Sequence, residues 1–315
     1  MIVSEKFIWK KHGQIFNAEH LDLPWAKNST LVPVPFRLSD DVIRVYVGMH
    51  DGMVSRIEYV DVAFSDPKKI LAVSQTPALD IGRAGCFDDN GILPAEVIKT
   101  AEGYRLYYVG FQLTNKVKFL AFSGVAVSKD ACVFERLQEF PILDRAPRAA
   151  MINALHSLHQ DPVTKQYRIW HVKGDGWQMI NDIPYPQYHI WTCTSPDGIH
   201  MNADSQLCVD NQNSEYRIGR PGVYRLKNKW MMLYTKGTTS GKDYYPGIAF
   251  SKDGVHWDRQ DHHFNIPLSD SGWDSRHVAY PRLIKIAENH YYVFYNGNDM
   301  GKTGFGYAEL TIEDA

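Results

Sequence analysis

RVYVG at Arg44 to Gly48, RLYYVG at Arg105 to Gly110, RIWHVKG at Arg168 to Gly174, MMLYTKG at Met231 to Gly237 and YVFYNG at Tyr292 to Gly297 are five versions of one run. Their closing glycines lie 62, 64, 63 and 60 residues apart. Aromatic and β-branched residues suit a pleated, half-buried surface, so each run reads as a strand. The glycine that ends it can take the positive φ of a tight turn. Repetition at a constant interval of this size is the mark of a radially or linearly repeated fold.

The flanks repeat as well. A strand-like element precedes each run: LVPVPFRL from Leu31, PAEVIK from Pro94, INALHSLHQDP from Ile152, PGVYRL from Pro221 and PRLIKI from Pro281. Another follows each run: IEYVDVAFSD, GVAVSKD, IWTCTSPDG, GIAFSKDG and GFGYAEL. Fourth strands are legible in FERLQEFPILD from Phe134 and in HWDRQ from His256. The last repeat ends before it supplies one, while FIWKKHGQIF near the N-terminus has the right character. The expectation is an all-β, five-bladed propeller forming one domain over 1–315, with its ring closed by an N-terminal strand at 7–16 that removes the last exposed edge. The blades are expected at 18–80, 81–145, 146–210, 211–268 and 269–315 plus 7–16.

Composition narrows the function. Thirty-four basic and 36 acidic residues give a net charge of −2, without the basic face that nucleic acid requires. No apolar run is long enough to span a membrane or to serve as the core of a signal peptide. Cys86, Cys132, Cys193 and Cys208 are too few and too scattered for a disulfide framework, and they read as thiols of a cytoplasmic protein. No residue pattern calls for a metal or another cofactor.

In a propeller, loops entering the innermost strands line the axial funnel, where function is sought. Asp89, Glu215 and Asp274 lie five to seven residues before the equivalent prolines Pro94, Pro221 and Pro281, so repeat geometry predicts that they converge. Clustered carboxylates split their pKa values and can supply the acid and base of glycosidic cleavage. Asp88, Arg217, Arg220 and His277 share these loops, and either arginine could clamp a ligand carboxylate or phosphate. The alternative for these acids and arginines is a set of structural ion pairs between blades. Asp51 lies in the loop after the first run, and Asn28 lies on the approach to the first inner strand. His156 could face the axis, and with His159 on the opposite strand face the two cannot form a metal clamp. Trp273 lies in a loop, where it could stack on a sugar ring.

The turns SKDGVHW at Ser251 and SPDGIHM at Ser195 resemble the S-x-D-G-x-x-W turn of five-bladed glycosidase-like propellers, the superfamily of glycoside hydrolase families 43, 32, 68, 117 and 130. FDDNGILP, GWDSRHVAYP and YNGNDMGKTGFG look like a narrower group associated with bacterial surface-polysaccharide biosynthesis. The resemblance implies a carbohydrate or sugar-nucleotide ligand and a glycoside hydrolase or phosphorylase activity. It puts Glu215 where family 43 has its general acid, while WAKNSTLVP offers Asn28 where a catalytic base Asp is expected. The base would then be Asp89, Asp274 or Asp51, or phosphate would replace water. The rival expectation is a noncatalytic propeller that binds a glycan or sugar nucleotide.

Overall fold

A computed structural model describes residues 5–240 and 244–314 of the chain. Strand β1 (Glu5–Phe16) comes first, and β2 (Asn28–Arg37), β3 (Val42–His50), β4 (Ser55–Ala63) and β5 (Asp66–Val73) form an antiparallel sheet in chain order. The same meander recurs in β6 (Ile92–Thr100), β7 (Gly103–Gln112), β8 (Leu120–Ser128) and β9 (Glu135–Arg136). It recurs again in β10 (Ile152–Gln160), β11 (Tyr167–Ile180), β12 (Ile183–Ser195) and β13 (Ser205–Val209). A further copy is β14 (Glu215–Arg225), β15 (Trp230–Thr238), β16 (Tyr245–Ser251) and β17 (Asp258–Arg259). Short parallel bridges between β8 and β10 and between β12 and β14 join these three meanders into one twelve-stranded sheet.

The remaining sheet is β18 (Ala279–Ala287), β19 (His290–Asn296) and β20 (Phe305–Asp314), with β1 paired antiparallel along β20 from Glu5↔Asp314 to Phe16↔Phe305. The N-terminal strand thus covers the edge of the last sheet, beginning two residues earlier than the sequence suggested. The opening strands of the meanders pack in a circuit: β2 on β6, β6 on β10, β10 on β14, β14 on β18, and β18 on β2. The interfaces between neighbouring sheets are filled by large buried side chains such as Tyr46, Tyr107, Trp170, Tyr234 and Phe294.

Two outer strands, β5 and β13, were not read from the sequence, because PKKILAV is largely exposed and SQLCV is short. The glycines of the repeated run also differ from expectation. None has a positive φ, and Gly48, Gly110, Gly174 and Gly237 lie inside strands. Close approach explains them where neighbours are tight. A Cβ on Gly48 would strike Leu93, and one on Gly110 would strike Asp88 and Phe87.

The S-x-D-G turns are architectural. Ser251 Oγ accepts from the Gly254 N–H at 2.8 Å, Asp253 Oδ1 accepts from the N–H groups of Val255 and His256, and Gly254 has φ 77°. Trp170 of the preceding meander donates to the Gly254 carbonyl at 2.9 Å, so the turn staples two meanders together. No helix among the described residues is long and apolar enough to cross a membrane.

Every opening strand carries a register shift: between Leu31 and Val34, Pro94 and Glu96, Leu155 and Ser157, Gly219 and Gly222, and Ala279 and Arg282. Proline has no N–H for the ladder and is accommodated at such bulges, as Pro33, Pro94, Pro221 and Pro281 are. In three of them the residue before proline is left-handed: Val32 (φ 56°), Arg220 (φ 55°) and Tyr280 (φ 54°). Such conformations are strained for residues with a Cβ and persist only where the surrounding structure enforces them.

Candidate functional site

A cavity of about 400 Å³ lies where the opening strands converge. Ile152, Ala154 and His156 of β10, Arg217 and Arg220 of β14, and Tyr280 of β18 form part of its wall. Arg220 and Tyr280 are the two bulged, left-handed residues that precede Pro221 and Pro281, so the strained backbone aims both side chains at the common centre. Phe111 and Phe119 line another side, with their rings 5.3 Å apart and edge-on. Ile183, Tyr185 and Tyr188 of the long β11–β12 hairpin, together with Tyr244 and Met300, complete the aromatic and apolar lining.

The polar groups are sparse and of one electrostatic kind. Lys118, Arg217 and Arg220 are cationic, and no aspartate or glutamate is among the described lining residues. Arg217 lies over the rings of Tyr244 and Tyr216, 4.4 and 4.9 Å from their centroids. Arg220 faces Tyr280 at 5.8 Å and donates to the Pro94 carbonyl at 3.3 Å. Burial pulls its pKa down to about 10 and pushes the Tyr280 hydroxyl well above its ordinary value. His156 is 3% exposed, and its Nδ1 has no hydrogen-bond partner among the described residues. Burial, then the charges of Arg220 and Arg282, hold it well below the usual imidazole range, so the ring is neutral. Beneath it Arg282 donates to the carbonyls of Ala95 (3.0 Å) and His156 (2.5 Å) and pairs with Glu96 at 3.5 Å. Burial raises the Glu96 pKa, and Ser157 Oγ donates to its carboxylate at 3.1 Å.

The acids expected to converge bond to separate partners, and none is in the lining. Asp274 is fully buried, paired with Lys11 at 2.6 Å, and accepts from the Tyr295 hydroxyl at 3.0 Å. Asp88, also fully buried, accepts from Tyr108 at 3.0 Å and from Arg136 at 2.7 Å. Asp261, which the sequence reading passed over, completes the series with Tyr234, Lys236 and Arg259. The repeat therefore brings a tyrosine, an aspartate and a cation together three times, as a structural network within the meanders.

Glu215 is held by two Arg259 hydrogen bonds of 2.8 Å, by the Gln212 N–H at 2.9 Å and by Lys236 at 3.5 Å. Burial alone would raise its pKa, but these donors outweigh it and hold the carboxyl below its ordinary value. Asp89 caps its own loop, accepting from the N–H of Gly85 and from Asn90. Asp51 caps the β3–β4 turn through Met53 and Val54 and pairs with Arg56 at 2.6 Å; against the opposing effect of burial, these bonds bring its pKa to about 2.

Of the other expected residues, Arg217, Arg220 and His156 line the cavity. Asn28 accepts from Ser29 Oγ, and His277 Nδ1 accepts from the Asp299 N–H. Trp273 stacks on Tyr295, with centroids 5.1 Å apart, in the core of the last sheet. The sequence reading missed Tyr280, Tyr188, Tyr185 and Tyr244. Tyr280 was findable, since it precedes Pro281 as Arg220 precedes Pro221. The hairpin tyrosines carry no repeat signal, because the extension of β11 and β12 occurs once.

No protein-family model matches the chain. Two Mycobacterium tuberculosis proteins described as uncharacterized are similar to it along nearly the whole length. MT1551 is 30% identical over 305 residues, covering 96% of this chain and 99% of that protein. Rv1502 is 30% identical over 311 residues with the same coverage. Among solved structures, a β-1,2-mannobiose phosphorylase from Listeria innocua in complex with β-1,2-mannobiose superposes with a TM-score of 0.71 at 12% identity, over 96% of each chain. A thermostable family-43 glycoside hydrolase does so with a TM-score of 0.65 at 15% identity, over 92% of this chain and 91% of that one. The shared feature is the glycosidase-type propeller fold.

Proposed function

The chain belongs to the family of the Mycobacterium tuberculosis proteins MT1551 and Rv1502, and from that premise and its fold we propose that it is a single five-bladed propeller domain whose axial cavity binds a carbohydrate without cleaving it. The observation that carries this reading is the lining: tyrosine and phenylalanine faces beside a few convergent polar groups, with no carboxylate among the described residues. Aromatic faces pack against the apolar faces of sugar rings, while hydroxyls, imidazole and guanidinium groups satisfy sugar oxygens. Glycosidic cleavage by paired acids needs one carboxyl to donate a proton and another to act as base or nucleophile. Glu215 is kept ionised by Arg259 and Lys236, which suits an ion pair better than a proton donor. The fold relationship to a mannobiose phosphorylase and to family-43 hydrolases supports carbohydrate as the ligand class.

The test is calorimetric titration with mono- and disaccharides and sugar nucleotides, alongside chromatography of the same mixtures. Binding without product, weakened by Tyr188→Ala and left unchanged by Glu215→Gln, is expected. Release of free sugar or sugar phosphate that disappears in Glu215→Gln would replace this reading with an enzymatic one.

A further inference from the structure

Several arginines drawn into this protein are matched to carboxylates. Arg44 meets Asp61 through two hydrogen bonds of 2.8 and 2.7 Å, Arg136 meets Asp88, Arg259 meets Glu215, and Arg282 meets Glu96. Arg220 differs from these. Among the described residues it has no carboxylate within ion-pair distance, and one 3.3 Å bond to a carbonyl occupies one of the five donors that a guanidinium carries. A charge removed from bulk water without a counter-charge is costly, and a native structure keeps one where something else supplies the partner. The backbone at this residue is also strained, so the side chain is held toward the cavity rather than allowed to swing out to solvent.

The neighbours reinforce the sign. Arg217 and Lys118 add positive charge to the same wall, beside Tyr188 and Tyr280. His156 is buried in the same wall, and its Nδ1 has no hydrogen-bond partner among the described residues. Its neutrality makes it a hydrogen-bonding group rather than a fourth charge.

We infer that the ligand of the axial cavity carries an oxyanion, a phosphate or a carboxylate, and that Arg220 receives it. This rests on the carbohydrate reading and narrows it to phosphorylated sugars or sugar acids. A guanidinium matches both oxyanions through paired N–H donors, and the shared chemistry leaves the two sources to experiment.

Four probes separate the possibilities by titration of the full chain: glucose, glucuronate, glucose 1-phosphate and inorganic phosphate. The expected result is that glucuronate or glucose 1-phosphate binds on the order of 10- to 100-fold more tightly than glucose, the range associated with a charge-assisted hydrogen bond. Whichever anionic sugar is preferred identifies the group. Arg220→Gln should abolish that preference, so that the anionic sugars bind no more tightly than glucose, and Arg220→Lys should restore part of it. Thermal melting of the free protein supplies a second readout. Because Arg220→Gln removes an unmatched charge, its melting temperature should be unchanged or higher, whereas a purely structural arginine would lower it on removal.

Equal binding of glucose and the anionic sugars, or an anion preference that survives Arg220→Gln, overturns the inference and leaves the carbohydrate reading intact. Arg220-dependent binding of inorganic phosphate with no sugar bound supports the oxyanion site and overturns the carbohydrate reading. Absence of binding by all four probes overturns the inference.

Discussion

Lys11→Met breaks a side-chain contact that ties the N-terminal strand to the last sheet. Lys11 Nζ lies 2.6 Å from Asp274 and donates to the carbonyl of Pro267 and to Ser269 Oγ, so one side chain joins β1 to the loop that leads into β18. Asp274 is 0% exposed and Lys11 20%, so removing the amine leaves a carboxylate in the interior with only the Tyr295 hydroxyl as a side-chain donor among the described residues. Removing one partner of a buried pair costs about 3–5 kcal/mol, and because part of Lys11 reaches water the lower end, about 3 kcal/mol, applies. Methionine keeps the stem's packing, so the charge is the main thing lost. For 315 residues an unfolding entropy of about 2.1 cal/mol/K per residue gives about 1.5 °C per kcal/mol, hence a fall of about 4–5 °C in Tm. Differential scanning calorimetry reads this directly. The double variant Lys11→Met with Asp274→Asn should recover a large part of the loss. A single variant that melts within 1 °C of the parent would refute the reasoning, because the carboxylate would then be shown not to depend on β1.

Glu215→Gln should cost about 2 kcal/mol through the loss of charge-assisted bonds to Arg259, read by urea unfolding at pH 7. Because the folded-state pKa of Glu215 is depressed, its contribution is present above the unfolded value of about 4.3 and disappears as pH falls through the lower folded value, so the variant should lack that part of the acid loss. His171 is buried with its pKa pulled down to about 3 by burial and by Lys173, so below pH 6.5 the unfolded chain takes up a proton that the folded one refuses. Stability should therefore fall by about 1.4 kcal/mol per pH unit more steeply in the parent than in His171→Asn between pH 6 and 4, and parallel slopes would contradict the assignment. Gly110→Ala drives a methyl into Asp88 and Phe87 and should lower stability by about 1–3 kcal/mol, whereas a Tm equal to the parent's would show that the sheet yields at little cost.

The repeat was legible because strand composition is written locally: the five aromatic runs became β3, β7, β11, β15 and β19, and the N-terminal FIWKKHGQIF paired with β20. The outer strands β5 and β13 escaped because an exposed edge strand needs no apolar alternation, and PKKILAV gains its place by backbone pairing to β4. The closing glycines were read as turn residues, but their requirement is steric and comes from neighbouring sheets and loops, which sequence spacing does not display. For the acids the repeat reading was that Asp89, Glu215 and Asp274 converge, whereas the recurrent feature is a different set, Asp88, Asp261 and Asp274, each meeting a tyrosine and a cation. What it could not supply was which way those loops face. The residues that reach the centre, Arg220 and Tyr280, do so through bulges at Pro221 and Pro281, and a bulge shifts side-chain direction by one residue without leaving a mark in hydrophobic alternation.

The most direct test of the central claim is a crystal structure of the protein soaked with glucose and, separately, with glucuronate. The account predicts sugar density inside the axial cavity, its ring against the faces of Tyr188 or Tyr280 and its oxygens within hydrogen-bond distance of Arg220. Sugar seated instead in the loops of Asp89 and Glu215, with the cavity holding only water, would contradict it.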